Sequence, residues 1–210
     1  MSARPIAVRP RRRASAAARR RRLAAIAATV LVAALAASLL FSGPSRVVQE
    51  VTLPLRHDDV IRQQAADKGL DAALIAGVIY AESRFRDQTS PAGAKGLMQI
   101  TPETARFIAR RSGGTAFELR DLATPQINIA YGSYYLNYLL GRYEGEELPA
   151  LAAYNAGGSN VDAWIARERA AGRTLTADRI PFPETRQYVG RVLDARAQYR
   201  ERYPRELGLR

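Results

Sequence analysis

Asp71-Ala72-Ala73-Leu74-Ile75-Ala76-Gly77-Val78-Ile79-Tyr80-Ala81-Glu82-Ser83-Arg84 is the stretch whose reading decides the fold. Asp71 is a good N-cap, since its carboxylate can accept from the free N–H groups of a first helical turn. Ile75, Val78, Ile79 and Glu82 then fall at i, i+3, i+4 and i+7, which is one face of an α-helix. The spacing predicts a helix from Ala72 to about Arg84 whose apolar stripe ends in a carboxylate. Desolvation there would raise the glutamate pKa, and a carboxyl that keeps its proton near neutral pH is what a general acid needs. On this helix alone the alternative stays open that a slight rotation turns Glu82 to solvent.

Working outward, the same periodicity runs through the chain from about His57. A helix opens at Asp58 and closes on Gly69 as its C′ residue. Thr101-Pro102 and Thr124-Pro125 each place an N-cap before a proline at the first helical position, predicting helices to about Arg111 and over about 125–142. Further helices are expected over Leu148–Asn155, from a cap at Ser159 or Asn160 to about Arg169, and from Pro183-Glu184 to about Arg202. No stretch alternates with period two for more than about four residues, so a substantial sheet is not expected. The fold class read from this pattern is mainly α, a compact domain of short helices.

The formal charge of +12 raises the question of a nucleic-acid partner. Residues 1–45 carry nine Arg and no acid, and the remaining 165 residues carry a net charge of only +3. The excess is therefore a short N-terminal arm, and no nucleic-acid surface is expected. After Arg19-Arg20-Arg21-Arg22 an unbroken apolar run extends from Leu23 to Phe41. Its length spans about 30 Å as a helix, enough for a bilayer core. The basic flank sets the N-terminus in the cytoplasm. The expected organisation is a basic arm over 1–22, a single transmembrane helix over 23–41, a Pro-containing linker over 42–56 and a globular domain over 57–210. A cleaved signal peptide is the alternative for the apolar run. There is no cysteine, which removes disulfides and thiolate metal sites. His57 stands alone, so no metal site is expected.

Seven residues beyond Glu82 begins Thr89-Ser90-Pro91-Ala92-Gly93-Ala94-Lys95-Gly96-Leu97-Met98-Gln99-Ile100. Its glycines and proline force a folded loop in which backbone can approach a ligand closely. Gln99, between two residues expected to be buried, is suited to sugar hydroxyls and acetamido groups. Tyr131, Tyr134, Tyr135 and Tyr138 fall at helical spacing and are read as core in preference to a ligand platform. Trp164 is read as packing, Asp87 as a solvated turn residue, and Arg110-Arg111 with the arginines from Arg186 onward as solvated helix faces.

Four groups occur in order: Glu82-Ser83; Ser90-Pro91 with Gly96-Leu97-Met98-Gln99; Ala153-Tyr154-Asn155-Ala156-Gly157; and Pro183-Glu184-Thr185-Arg186-Gln187-Tyr188-Val189. Together they resemble the motifs of the soluble-type lytic transglycosylases, over about residues 60–200. The resemblance implies a lysozyme-like domain acting on peptidoglycan glycan strands, without a cofactor. It implies Glu82 as the catalytic acid/base. It also implies that Ser90, Gln99, Tyr154, Asn155, Glu184 and Tyr188 bind substrate, with Glu184 a positioning group. Where some members carry Met two residues after the motif glutamine, this chain has Thr101, which is read as a helix N-cap. No second carboxylate can be nominated, which fits substrate-assisted cleavage instead of the two-carboxylate arrangement. The family's reaction closes a 1,6-anhydro ring on N-acetylmuramic acid at its bond to N-acetylglucosamine. A lysozyme-like hydrolase and an inactive wall-binding scaffold are the alternatives. With the anchor, the implied setting is the outer face of the cytoplasmic membrane, with cell-envelope machinery as a possible partner.

Overall fold

A computed structural model describes residues 53–113 and 116–209. The basic arm and the Leu23–Phe41 run lie outside the described residues. Among the described residues no helix is long and apolar enough to cross a membrane. Residues 50–210 form one compact unit.

Seven α-helices are described: α1 Asp58–Lys68, α2 Ala72–Ser83, α3 Pro102–Ser112, α4 Pro125–Arg142, α5 Glu147–Ala156, α6 Gly158–Ala170 and α7 Pro183–Arg202. Short 3-10 turns at Leu119–Ala123 and Ala177–Arg179 were not expected from periodicity. Neither is long enough to show any. The caps at Asp71 and Thr101 form as expected: Asp71 accepts from the Ala73 N–H at 3.0 Å and Thr101 from the Thr104 N–H at 3.1 Å. Thr101 is thus a cap and is exposed. At α6 the expectation differs. Gly157 is the sole residue between α5 and α6, with φ 85° and ψ 145°, and it takes the cap position without a side-chain bond. Ser159 and Asn160 lie inside the helix, since the reversal needs a conformation that glycine adopts without a Cβ penalty.

The one-sided stripe expected for α2 is also too narrow. Every residue from Ala72 to Ile79 is buried, so α2 is the central helix and apolar all round. It lies along α7. A Cβ on Gly77 would stand 2.8 Å from the Val192 carbonyl oxygen, so the glycine is what lets the two backbones meet. Arg196 of α7 locks this pair to α5: its Nε donates to Asp71 at 2.6 Å and its guanidinium to Glu147 at 2.7 Å. Ahead of α1, Leu53 is buried, and the Tyr199 and Tyr203 hydroxyls donate to the Pro54 and Leu53 carbonyls at 2.5 and 2.8 Å. Trp164 is buried as expected and meets Phe182 edge-on at 5.0 Å.

The loop after α2 holds the only extended pairing among the described residues, isolated bridges Thr89 to Lys95 and Lys95 to Ile100. Lys95 and Ile100 exchange both backbone hydrogen bonds, at 3.0 and 2.9 Å, and close Gly96–Gln99 into a tight turn.

Candidate active site

Glu82 sits in the last turn of α2, where the buried helix runs out toward the loop. Burial pushes its carboxyl up to about 7, against a smaller downward pull from the Tyr188 hydroxyl and the Arg191 charge. The carboxyl is therefore not turned freely to solvent. Tyr188, on α7, is 1% exposed and lies within electrostatic reach of Glu82. Its buried hydroxyl nevertheless makes no hydrogen bond of ordinary geometry. Its approach to the Glu82 carboxyl is that of a loose hydrogen bond, enough to pull the carboxyl down slightly. Tyr154, on α5, also feels the Glu82 charge, and burial holds both phenols well above their ordinary pKa. Glu82 thus faces two protonated phenols in a poorly solvated place.

The turn that carries Gln99 is clasped from three helices. Ser83, beside Glu82, donates to the Leu97 carbonyl at 2.7 Å. Tyr154 donates to the Met98 carbonyl at 3.0 Å. Asn128 of α4, fully buried, accepts from the Met98 N–H at 2.8 Å and donates to the Lys95 and Leu122 carbonyls at 2.9 and 3.0 Å. Gly96 fits against this amide only because it has no side chain, as a Cβ would lie 2.1 Å from Asn128 Nδ2. Gln99 itself has φ 47° and donates its side-chain amide to the Gln88 and Gly96 carbonyls at 3.0 and 2.8 Å. Both amide hydrogens are spent inside the loop, which leaves Oε1 to address a ligand. Ser90 likewise works within the loop, its Oγ accepting from the Ala94 N–H at 3.1 Å.

The remaining motif residues sit where α5 meets α7. Asn155 is exposed and accepts from the Thr185 hydroxyl at 2.7 Å. Glu184 lies exposed in the first turn of α7. The geometry thus brings Glu82, Tyr154 and Tyr188 together around one carboxyl and ties Gln99 and Ser90 into the adjoining loop. Among the described residues, no other carboxylate contributes to the Glu82 shift, and no three His, Asp or Glu side chains gather as metal ligands.

Asn128 is the residue that reading the sequence missed. The signal was present: on α4 it falls in line with Ile129, Gly132, Ser133 and Leu136, all buried, so a polar amide occupies an interior position. Such a group must find partners, and here they are the loop's backbone.

The model of the family described as "Transglycosylase SLT domain" matches residues 59–176, more than half of the chain. The soluble lytic murein transglycosylase of Escherichia coli K12 is 33% identical over 156 residues, covering 72% of this chain and 24% of that protein. A membrane-bound lytic murein transglycosylase C of Glaesserella parasuis is 34% identical over 168 residues, covering 69% of this chain and 46% of that protein. Among solved structures, an inactive glutamate-to-glutamine mutant of the Pseudomonas aeruginosa lytic transglycosylase Slt superposes with a TM-score of 0.66 at 32% identity. The match covers 73% of this chain and 25% of that one. The chain spans about a quarter of the length of the soluble relatives it matches. With the helical fold, the buried Glu82 carboxyl and the clasped loop all in place, the chain belongs to the transglycosylase SLT domain family.

Proposed function

We propose that this protein is a lytic transglycosylase that cleaves the β-1,4 bond between N-acetylmuramic acid and N-acetylglucosamine in peptidoglycan, leaving 1,6-anhydromuramyl ends. The observation that carries the reading is Glu82: one carboxyl, pushed up to about 7 by burial and facing the Tyr154 and Tyr188 phenols. Near neutral pH such a group exists in both protonation states, as one residue acting first as acid and then as base requires. Protonated Glu82 gives its proton to the glycosidic oxygen as the C1–O bond breaks, and the muramyl acetamide stabilises the cation at C1. The C6 hydroxyl oxygen then bonds to C1, and its proton returns to Glu82. Water is neither consumed nor released.

Ser90, Gln99 and Asn155 line the saccharide path in this reading, with Gln99 presenting Oε1, and Glu184 and Tyr188 close it from α7. The Pseudomonas aeruginosa relative is inactive as a glutamate-to-glutamine mutant, which supports a single essential glutamate in that relative. The relatives named membrane-bound support an envelope setting. We place residues 23–41 as a single-pass anchor, with 1–22 in the cytoplasm, 42–56 as linker and 57–210 as the catalytic domain outside, in cell-wall remodelling.

The test is the mass of the muropeptides released from purified sacculi. Products lighter by one water than the corresponding reducing-end species are expected. Reducing ends alone would make the enzyme a hydrolase, and no release would leave a wall-binding scaffold.

A further inference from the structure

The connection from α6 to α7 hangs on one buried carboxylate. Glu168, in the last turn of α6, is 3% exposed. Arg173 donates to it through Nε at 2.8 Å, Arg179 through Nη1 at 3.4 Å and Arg167 through Nε at 3.4 Å. One guanidinium would pair the carboxylate and pin the loop, whereas three set like charges beside one another. Arg169 adds a fourth and has no ion pair among the described residues. The carbonyl end of α6 favours Arg167 and Arg169, but Arg173 and Arg179 lie beyond the helix. Asp178 offsets part of the excess, since it is bonded by Thr176 and feels the Arg179 and Arg186 charges. Arg169, Arg173 and Arg179 line a common cleft of about 570 Å³, completed by Gly172, Thr174 and Thr176. No Leu, Ile, Val, Met or aromatic ring lines it.

We propose that this cleft binds a phosphate group, held by Arg169, Arg173 and Arg179, with Glu168 as the buried carboxylate that aims two of them. Arg173 and Arg179 each spend one nitrogen on Glu168, and a guanidinium has five N–H donors. The others remain for a ligand. A tetrahedral oxyanion presents acceptors in several directions and takes guanidinium forks from more than one arginine. The Thr174 hydroxyl adds a neutral donor at the rim, while Thr176 is committed to Asp178. An anion between the guanidiniums also relieves their mutual repulsion. None of these residues belongs to the Glu82 site, so the proposal stands apart from the reaction assigned above. The same chemistry is offered by two sources, a free phosphate and a phospholipid headgroup.

The experiment titrates the full-length chain, in an uncharged detergent, with inorganic phosphate by calorimetry, and with sodium chloride at matched ionic strength as the control. A Kd of about 1 mM is expected for phosphate, with no saturable response to chloride. Arg169→Gln is expected to weaken phosphate about fivefold, and Arg169→Gln with Arg179→Gln to abolish measurable binding. Arg169→Lys keeps the charge without the planar fork and should still weaken binding about twofold to threefold. Arg169 is exposed and outside the Glu168 clamp, so its variants decide the matter even if the double variant does not fold. A wild-type response no different from that to chloride overturns the site, as does a folded Arg169→Gln chain that binds phosphate as tightly as the wild type. The source is read from the same titration in nanodiscs of phosphatidylcholine with and without phosphatidylglycerol. Weakening by phosphatidylglycerol that Arg169→Gln does not share assigns the site to the lipid headgroup. Equal weakening in both chains, or none, assigns it to free phosphate.

Discussion

Burying the Glu82 carboxyl makes the stability of the fold depend on pH. Glu82 is pushed from about 4.5 in the open chain to about 7 in the fold, so the native state holds this proton more tightly than the unfolded state does. The stabilisation is complete below about pH 4.5 and is lost as pH rises through about 7. Glu82→Gln removes the buried charge. It should therefore stabilise the protein at pH 8, by up to about 3 kcal/mol, and the difference should vanish near pH 4.5. Paired thermal melts across pH measure this, and a pH-independent difference would contradict it. Catalysis should show the same group, with kcat/KM falling as pH climbs above about 7. Glu82 was legible in the sequence because the Glu-Ser motif and the i, i+7 spacing agreed. The roles of Gln99 and Ser90 inside the loop were not, because hydrogen bonds to carbonyls close in sequence leave no periodic trace.

Among the elements, the Gly96–Gln99 turn depends on groups borrowed from helices far along the chain. Asn128→Ala would leave the Met98 N–H and the Lys95 and Leu122 carbonyls without their partner. Buried groups stranded this way cost about 1–3 kcal/mol each. A total loss of at least about 3 kcal/mol in urea denaturation is expected. Turnover should fall more than about tenfold at temperatures where the variant remains folded. Wild-type turnover in a folded variant would show that the clasp has no bearing on catalysis. The α2–α7 contact makes a second prediction. Gly77→Ala would press a methyl to 2.8 Å from the Val192 carbonyl oxygen, and the helices must part at a cost of about 1–3 kcal/mol, read as a lowered Tm. The caps at Asp71 and Thr101 were legible because capping is local chemistry. The burial of α2 on all sides was not, since the helices that cover it come from both ends of the domain. The α6 start was misplaced for a related reason: Gly157 supplies the turn alone, and neither Ser159 nor Asn160 is needed as a cap.

For the whole molecule, the proposed arrangement joins a basic arm and an apolar run to a catalytic domain. The full-length chain should sediment with membranes and require detergent for release, while a chain beginning near residue 43 should stay in the soluble fraction with its activity on sacculi intact. A soluble, N-terminally shortened product from the full-length gene would identify the run as a cleaved signal instead. The central claim, that one carboxyl performs the whole reaction, is tested most directly by the rate at which purified sacculi are solubilised by Glu82→Gln beside the wild type. The account predicts loss of essentially all solubilisation by a protein whose melting curve shows it folded. Solubilisation by that variant at the wild-type rate would contradict it.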